Sequence, residues 1–382
     1  MTDQVLDVIV IGAGPAGLSA SYFLKTGGLK QLVFERGTAG ESWTSQRWSS
    51  FRLNSPNRLN ELPGNNYFEK DTEGFCISSD YVLSLREYID KFQLPVLENE
   101  AVQYVEKLKG KKLFRVETLT NNESREYYSR QLIVASGSQS ERKVPGISQN
   151  IPPHVHQVHA GEYHDAMNLP SGSVLVVGSA QSGCQIADDL ADAGRNVYLS
   201  TSMVARVPRG YRGRDIHDWL LEMGFFERRK EEVTDPAQLH MKAPHLTGVG
   251  QPPKTISLQS LAKKGVRIAG KLYEVKGEDV FFQSNAADHV KFANSFSARV
   301  KNMIDDFILK NDLAAPGNEY DEEDVPDLNA SCIAGIDSLN LKKENVSTII
   351  WATGFGSDFE ILKASRPGQR RHPNSKGWNI WD

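Results

Sequence analysis

Residues 8–17, Val-Ile-Val-Ile-Gly-Ala-Gly-Pro-Ala-Gly, constrain this chain more than any other stretch. Four β-branched residues ending at a glycine read as a strand buried on both faces of a parallel sheet. Helical spacing follows at once, with Leu18 and Tyr22 one turn apart in a segment that stops near Gly27 and Gly28, and residues 31–35 read as a second strand. In such a β-α-β unit Gly12 permits the tight turn, Gly14 removes a side chain where backbone must approach a pyrophosphate, and Gly17 lets helix and strand pack closely. Pro15 and Ala16 open the helix, whose N-terminus is aimed at negative charge. Glu35 stands eighteen residues after Gly17. A carboxylate there accepts hydrogen bonds from ribose hydroxyls and repels a 2′-phosphate, so the first site selects FAD or NAD over NADP, with Arg36 in the same lining.

The pattern returns 166 residues later. Residues 174–177 read as a buried strand, Gly178-Ser179-Ala180-Gln181-Ser182-Gly183 as the turn, 184–193 as the helix and 196–199 as the next strand. Alanine replaces the middle glycine but is small enough for a phosphate to come near. The second strand ends in Ser200-Thr201-Ser202 rather than in an acid. Those hydroxyls, with Arg206 and Arg209 beyond them, suit the charge-assisted binding of a 2′-phosphate, which favours NADPH and leaves NADH open. Short apolar runs at 131–135 and 348–352, followed by Gly137 and Gly354, look like paired exits from the two units. Residues 208–343 are more charged and read as an insertion with an amphipathic helix through Phe292, Phe296, Val300, Met303, Ile304 and Phe307. The acidic stretch 319–327 lacks the alternating ligands and central glycine of a calcium loop and reads as solvated. The expected fold is α/β, with two Rossmann-like dinucleotide-binding domains on parallel sheets, the second carrying a helical insertion.

A formal net charge of −4 supplies no basic field for nucleic acid or anionic lipid, which leaves a small-molecule substrate. Three cysteines, Cys76, Cys184 and Cys332, form no C-x-x-C pair, the usage of a reducing compartment, so the expected location is cytoplasmic. The apolar run 5–11 is too short to span a bilayer and lacks basic flanks and a cleavage site, so neither a membrane span nor a secretion signal is expected. His154, His156 and His159 have no acidic or cysteine partner at ligand spacing; no metal is expected, and His159 reads as orienting the linker between the units.

Two such turns, each unit closed by a short strand and a glycine, resemble the flavoprotein family that holds glutathione-reductase-like enzymes and flavin-containing monooxygenases. A disulfide reductase needs a redox-active cysteine pair, and this sequence has none in tandem. Local motifs resemble the monooxygenases, in particular the small bacterial branch described as potassium-transport flavoproteins. Gly40-Glu41-Ser42-Trp43 is similar to the family's glycine-glycine-x-tryptophan beside the FAD pyrophosphate, with Trp48 similarly placed. Leu53-Asn54-Ser55-Pro56 resembles the segment that brings an asparagine to the reactive edge of the isoalloxazine. Residues 157–163 resemble the fingerprint ending in a histidine, three residues and an aromatic, and 351–355 and 134–137 the closing strands of the two domains. Residues 209–215, Arg-Gly-Tyr-Arg-Gly-Arg-Asp, also look like this branch. Pro153 and Val155 stand where the fingerprint has phenylalanine and glycine.

The resemblance implies a glutathione-reductase-type pair of domains: an FAD domain at 1–143, a linker at 144–167 and an NAD(P)H domain at 168–355 with the insertion 208–343. In the family the chain then returns to the FAD domain. Residues 365–382 are polar and basic without an apolar strand, so the return segment 356–382 is expected to be vestigial, missing or replaced. The implied chemistry is NADPH-dependent reduction of FAD and formation of a flavin C4a-hydroperoxide from molecular oxygen. One oxygen atom then passes to a small organic substrate by N- or S-oxidation or Baeyer–Villiger insertion. Asn54 would hold the oxidised nicotinamide cofactor through an amide that both donates and accepts. Two other functions fit the same features: an NAD(P)H:flavin oxidoreductase or oxidase without oxygen insertion, and a non-catalytic nucleotide-binding remnant.

Overall fold

The computed structural model describes residues 5–362 except 109, 233–245, 251–252, 318–320, 326–332, 334, 358 and 360. The first sheet runs in the order Val96–Leu97, Gln31–Phe34, Leu6–Ile11, Glu123–Val134, Phe114–Thr120, Ala101–Lys107. Its first four strands are parallel and its last two join antiparallel. Val8, Ile9 and Val10 are at most 1% exposed, as the uninterrupted apolar run requires for a strand covered on both faces. Helix Pro15–Thr26 starts directly after the glycine turn, with Pro15 in its first turn, where the missing N–H costs nothing.

The second sheet is parallel throughout, in the order Arg267–Ala269, Val197–Ser200, Ser173–Val177, Val346–Trp351, His156–His159. Helix Gln181–Asp192 leaves its turn as Pro15–Thr26 leaves the first. The exit strands pair beside the glycine turns in both units: 131–134 lies against 8–11, and 348–351 against 174–177. Phe355–Gly356 pairs antiparallel with Glu141–Arg142, where the chain crosses between the units.

The stretch 208–343 does not lie wholly outside the sheet, which corrects its reading as an insertion. Arg267–Ala269 is an edge strand of the second sheet, and a three-stranded antiparallel sheet, Leu272–Lys276, Asp279–Phe282 and Ser338–Asn340, covers that sheet's face. Leu272, Val280, Phe282 and Leu339 are buried in one core with Leu175, Tyr198 and Trp351. Three- to five-residue strands separated by charged residues are a weak signal beside a long helix, which explains the miss. The helix itself spans Ala286–Lys310 and buries Val300 and Ile304 against Trp219 and Ile216. Among the described residues no helix is long and apolar enough to cross a membrane. The return segment expected at 356–382 lies outside the described residues from 363 onward, as does Cys332.

Candidate functional site

The two glycine turns are built alike. In the first, the Gly12 N–H donates to Phe34 O at 2.8 Å, and Gly12 has φ +104. A Cβ on Gly12 would lie 2.4 Å from Ala135 O, one on Gly17 1.9 Å from Gly12 O, and one on Gly14 would meet nothing within 4 Å. Gly12 and Gly17 are therefore demanded by backbone crowding, while Gly14 opens onto free space. In the second turn Gly178 has φ +108, its N–H donates to Ser200 O at 2.9 Å, and Cβ atoms at Gly178 and Gly183 would meet Ala352 O at 2.4 Å and Gly178 O at 1.8 Å. Gly17 and Gly183 pack their helices down; neither borders open space.

A cavity of about 400 Å³ opens at the first turn, bordered by Gly12, Gly14, Pro15, Ala16, Glu35, Arg36 and Trp43. Glu35 is 8% exposed and already accepts from the N–H groups of Ala13 (2.8 Å) and Gly37 (3.1 Å). A carboxylate has about four acceptor positions, so room remains for two ribose hydroxyls. Trp48 is elsewhere: it is 4% exposed and packs edge-on against Phe51, with ring centroids 4.9 Å apart, and near Tyr163 at 6.1 Å. It is a core aromatic outside the cavity lining, which corrects its reading as a cofactor wall.

Sequence reasoning missed Gln46, Arg47, Ser136 and Gln139 in the same lining. The Arg47 guanidinium lies 5.0 Å from the Trp43 ring centroid and 5.1 Å from that of Phe51, and donates to Gln139 Oε1 at 2.9 Å. Burial pulls its pKa down to about 10, so it stays cationic at neutral pH. Ser136 Oγ, Gln46 Oε1 and Arg47 Nε are buried without a partner among the described residues. Unmet polar atoms around an open cleft with cations at its wall suit an anionic, hydroxyl-rich ligand such as the diphosphate of a dinucleotide. Arg47 lies two residues beyond the short helix Glu41–Ser45, so no helical periodicity marked it in the sequence.

A second cavity, of about 700 Å³, opens at the second turn, bordered by Gly178, Ser179, Gln181, Ser182, Thr201, Ser202 and Lys271. Ser138 and Gln139 border both cavities. Ser179 Oγ accepts from the Ser202 N–H at 2.9 Å, which ties the turn to the end of the next strand. The Gln181 amide is taken by the Thr247 backbone, and the Thr201 hydroxyl donates to Ala269 O at 2.7 Å with His289 Nδ1 at 2.9 Å. Neither Arg206 nor Arg209 is available to a 2′-phosphate. Arg206 is 1% exposed and bound to Asp324 and Asn294, and Arg209 is bound to Asn54, Gly248, Asp215 and His217. Lys271 is the cation that borders this cavity, and it forms no ion pair among the described residues. It follows a three-residue edge strand, which concealed its placement. Asp324, 7% exposed and paired with Arg206 and Lys301, is the one described acid of 319–327 found buried rather than solvated, while Glu322 is exposed as read.

Asn54 borders neither cavity; it lies between the units, where its carbonyl accepts from Arg209 and its Oδ1 faces Gln185. His159 caps the turn at Ala160–Glu162: Nδ1 accepts from the Gly161 N–H at 3.1 Å and Nε2 faces Gly354 O at 3.0 Å. Burial lowers its pKa, which keeps the ring neutral in the tautomer those contacts need. His154 faces Glu278 instead, and among the described residues no three His, Cys, Asp or Glu side chains converge as metal ligands would. Cys76 and Cys184 are free and buried, and burial pushes the Cys76 thiol up to about 12.

Residues 9–220 match the family model described as pyridine nucleotide-disulphide oxidoreductase. The uncharacterized oxidoreductase CzcO of Bacillus velezensis is 36% identical over 197 residues, which are 51% of this chain and 54% of the relative. A probable indole-3-pyruvate monooxygenase of Arabidopsis thaliana, YUCCA8, is 28% identical over 225 residues, 56% of this chain and 52% of the plant protein. The chain thus spans about half the length of these relatives. A flavin-containing monooxygenase from Stenotrophomonas maltophilia superposes with a TM-score of 0.58 at 20% identity, covering 94% of this chain and 81% of that one; this shows the shared fold. With more than half of its residues matched by the family model, and with paired nucleotide-type turns on two Rossmann-like sheets, the chain belongs to the pyridine nucleotide-disulphide oxidoreductase family.

Proposed function

We propose that the chain is an FAD-dependent, NADPH-using monooxygenase. It takes NADPH, a proton, molecular oxygen and a small organic substrate to NADP⁺, water and a substrate bearing one added oxygen, by N- or S-oxidation or Baeyer–Villiger insertion. The observation that carries this reading is the pair of like cavities that meet at Ser138 and Gln139, one ending on an acid and the other on hydroxyls and a lysine. When bound, FAD supplies the two-electron relay from nicotinamide to oxygen. The monooxygenase names among relatives and fold neighbours support the assignment.

In this reading residues 1–143 form the FAD domain, 144–167 the linker and 168–355 the NADPH domain. Gly14 and Ala16 present backbone N–H groups to the FAD diphosphate on a turn shaped by Gly12, Pro15 and Gly17, with Arg47 and Arg36 adding positive charge. Glu35 holds the ribose, and Trp43 walls the cleft. Ser179, Gln181 and Ser182 do the same for NADPH on a turn shaped by Gly178 and Gly183, with Ser202 and Lys271 on the 2′-phosphate; Thr201 backs Ser202. Lys271 replaces Arg206 as the discriminating cation because a buried, already paired guanidinium has little left for a ligand. Asn54 sets the edge where the units meet, and its amide donates or accepts without titrating. A cytoplasmic location, resting on cysteine use, belongs to the same reading.

The test is an absorbance spectrum of the purified protein, then anaerobic NADPH, then oxygen with candidate amines, sulfides and ketones. A yellow protein that NADPH bleaches and that yields an oxygenated product supports the proposal. Hydrogen peroxide equal to the NADPH consumed, with every substrate tried, makes it an oxidase. Colourless protein that cannot be reconstituted with FAD makes it a non-catalytic remnant.

A further inference from the structure

One face of helix Gln181–Asp192 carries polar contacts to the first unit, to the linker and to the segment at Thr247. Gln181, Gln185 and Asp189 stand four residues apart and so project from the same side. The Gln181 side chain holds the Thr247 backbone with 3.0 Å bonds in both directions, and Asp189 accepts from the Ser50 and Tyr163 hydroxyls. Gln185, between them and 6% exposed, donates from Nε2 to Asn54 Oδ1 over 3.4 Å. Arg209 reaches Asn54 from another direction. Its Nη1 donates to Asn54 O and to Gly248 O, both at 2.8 Å, while Nη2 donates to Asp215 Oδ1 at 2.8 Å and to His217 Nδ1 at 2.6 Å. The guanidinium also lies 4.9 Å from the centroid of the Phe75 ring.

Because Gly248 follows Thr247, these contacts close a ring: Gln181, Thr247, Gly248, Arg209, Asn54, Gln185 and back along one helical turn to Gln181. Four members, Gln181, Gln185, Thr247 and Gly248, belong to the helix that opens the second cavity or to the segment bonded to it. Asn54 is the member from the first unit. Its backbone is also fixed from behind, where Leu53 N–H donates to Cys76 O at 3.0 Å. Gln185 Oε1 and Arg209 Nε are buried without partners among the described residues.

We propose that Gln185 and Arg209 are positioning residues for Asn54. Arg209 fixes where its backbone sits, and Gln185 fixes which end of its amide is free, so the second unit's helix sets the first unit's reactive-edge residue. This rests on the role given to Asn54 above. With Oδ1 engaged by Gln185, the amide N–H₂ is the end left to donate. The same helix begins at the nicotinamide turn, so cofactor seated there and the Asn54 amide share one rigid support.

The test uses FAD-loaded protein and the variants Asn54→Ala, Gln185→Leu and Arg209→Lys, with both of the latter also made in the Asn54→Ala background. Two quantities are read: the change in the bound flavin's visible spectrum on titration with NADP⁺, and the rate of NADPH oxidation in air without added substrate. FAD content and thermal midpoint serve as folding controls. Each single variant is expected to alter the NADP⁺ difference spectrum and to change the oxidation rate by about tenfold, the scale of a sub-ångström to ångström misplacement. In the Asn54→Ala background the second substitution should add less than about twofold, since two residues acting through one group are not additive. Wild-type behaviour of Gln185→Leu and Arg209→Lys beside an impaired Asn54→Ala overturns the proposal, as do additive effects in the double variants. If Gln185→Leu loses FAD, Arg209→Lys decides alone, since it keeps the charge. An unchanged Asn54→Ala removes the role of Asn54 itself and this inference with it.

Discussion

One methyl group added at Gly14 or at Gly17 should act in opposite ways on stability and on FAD. A Cβ at Gly17 falls 1.9 Å from Gly12 O, well inside van der Waals contact with backbone that cannot swing away. Overpacking of that kind costs about 1–3 kcal/mol, and this overlap with backbone belongs at the upper end, about 3 kcal/mol. For a unit of this size each kcal/mol moves the midpoint by about 2–4 °C, so Gly17→Ala should lower it by about 6–12 °C without FAD present. At Gly14, φ −83 and ψ −177 suit alanine, and the new methyl meets nothing within 4 Å. The same substitution there should be neutral or stabilise by about 0.4–1 kcal/mol, by narrowing the unfolded ensemble. The methyl would, however, stand where the diphosphate must approach the backbone. Losing one charge-assisted hydrogen bond, about 1.5–3 kcal/mol, weakens FAD at least about tenfold. Thermal unfolding of the flavin-free protein and FAD titration by fluorescence quenching separate the two effects. A Gly14→Ala protein that binds FAD like wild type, or that melts as low as Gly17→Ala, would refute the assignment of Gly14 to the ligand and Gly17 to the fold.

Three further outcomes follow from the same geometry. Lys271→Ala should raise the KM for NADPH about tenfold or more while leaving NADH within about twofold, as loss of one charge-assisted contact to a 2′-phosphate requires; equal losses for both cofactors would exclude Lys271 from that role. Arg206→Met should cost about 3 kcal/mol by stripping a buried partner from Asp324, yet leave the NADPH-to-NADH preference alone, which urea unfolding and steady-state kinetics check together. His159 has its pKa lowered by burial, so below the ordinary imidazole value the unfolded chain takes up the proton first. Its contribution to stability is therefore complete at higher pH and is lost as pH falls through its folded value; melting curves of wild type and His159→Asn should converge toward acid pH, and parallel curves would count against it.

Much of the nucleotide-type architecture was legible because it is written in the backbone. Gly12 and Gly178 need left-handed φ, Gly17 and Gly183 have no space for a side chain, and an unbroken β-branched run must be covered on both faces. These are short-range steric demands that a sequence of ten residues states in full. Glu35 could be placed for the same reason, since its distance from the turn is fixed by one helix and one strand. What tertiary structure decided is which polar side chains are free. Trp48 and Arg206 have the right chemistry at the right spacing, but partners far along the chain, Tyr163 for one and Asp324 for the other, take them into the core. Arg47 and Lys271 reach the cavities because Gln139 and the edge strand Arg267–Ala269 bring them there. A charged group is committed by whichever opposite charge the fold delivers to it, and that delivery is a long-range event that local periodicity does not record.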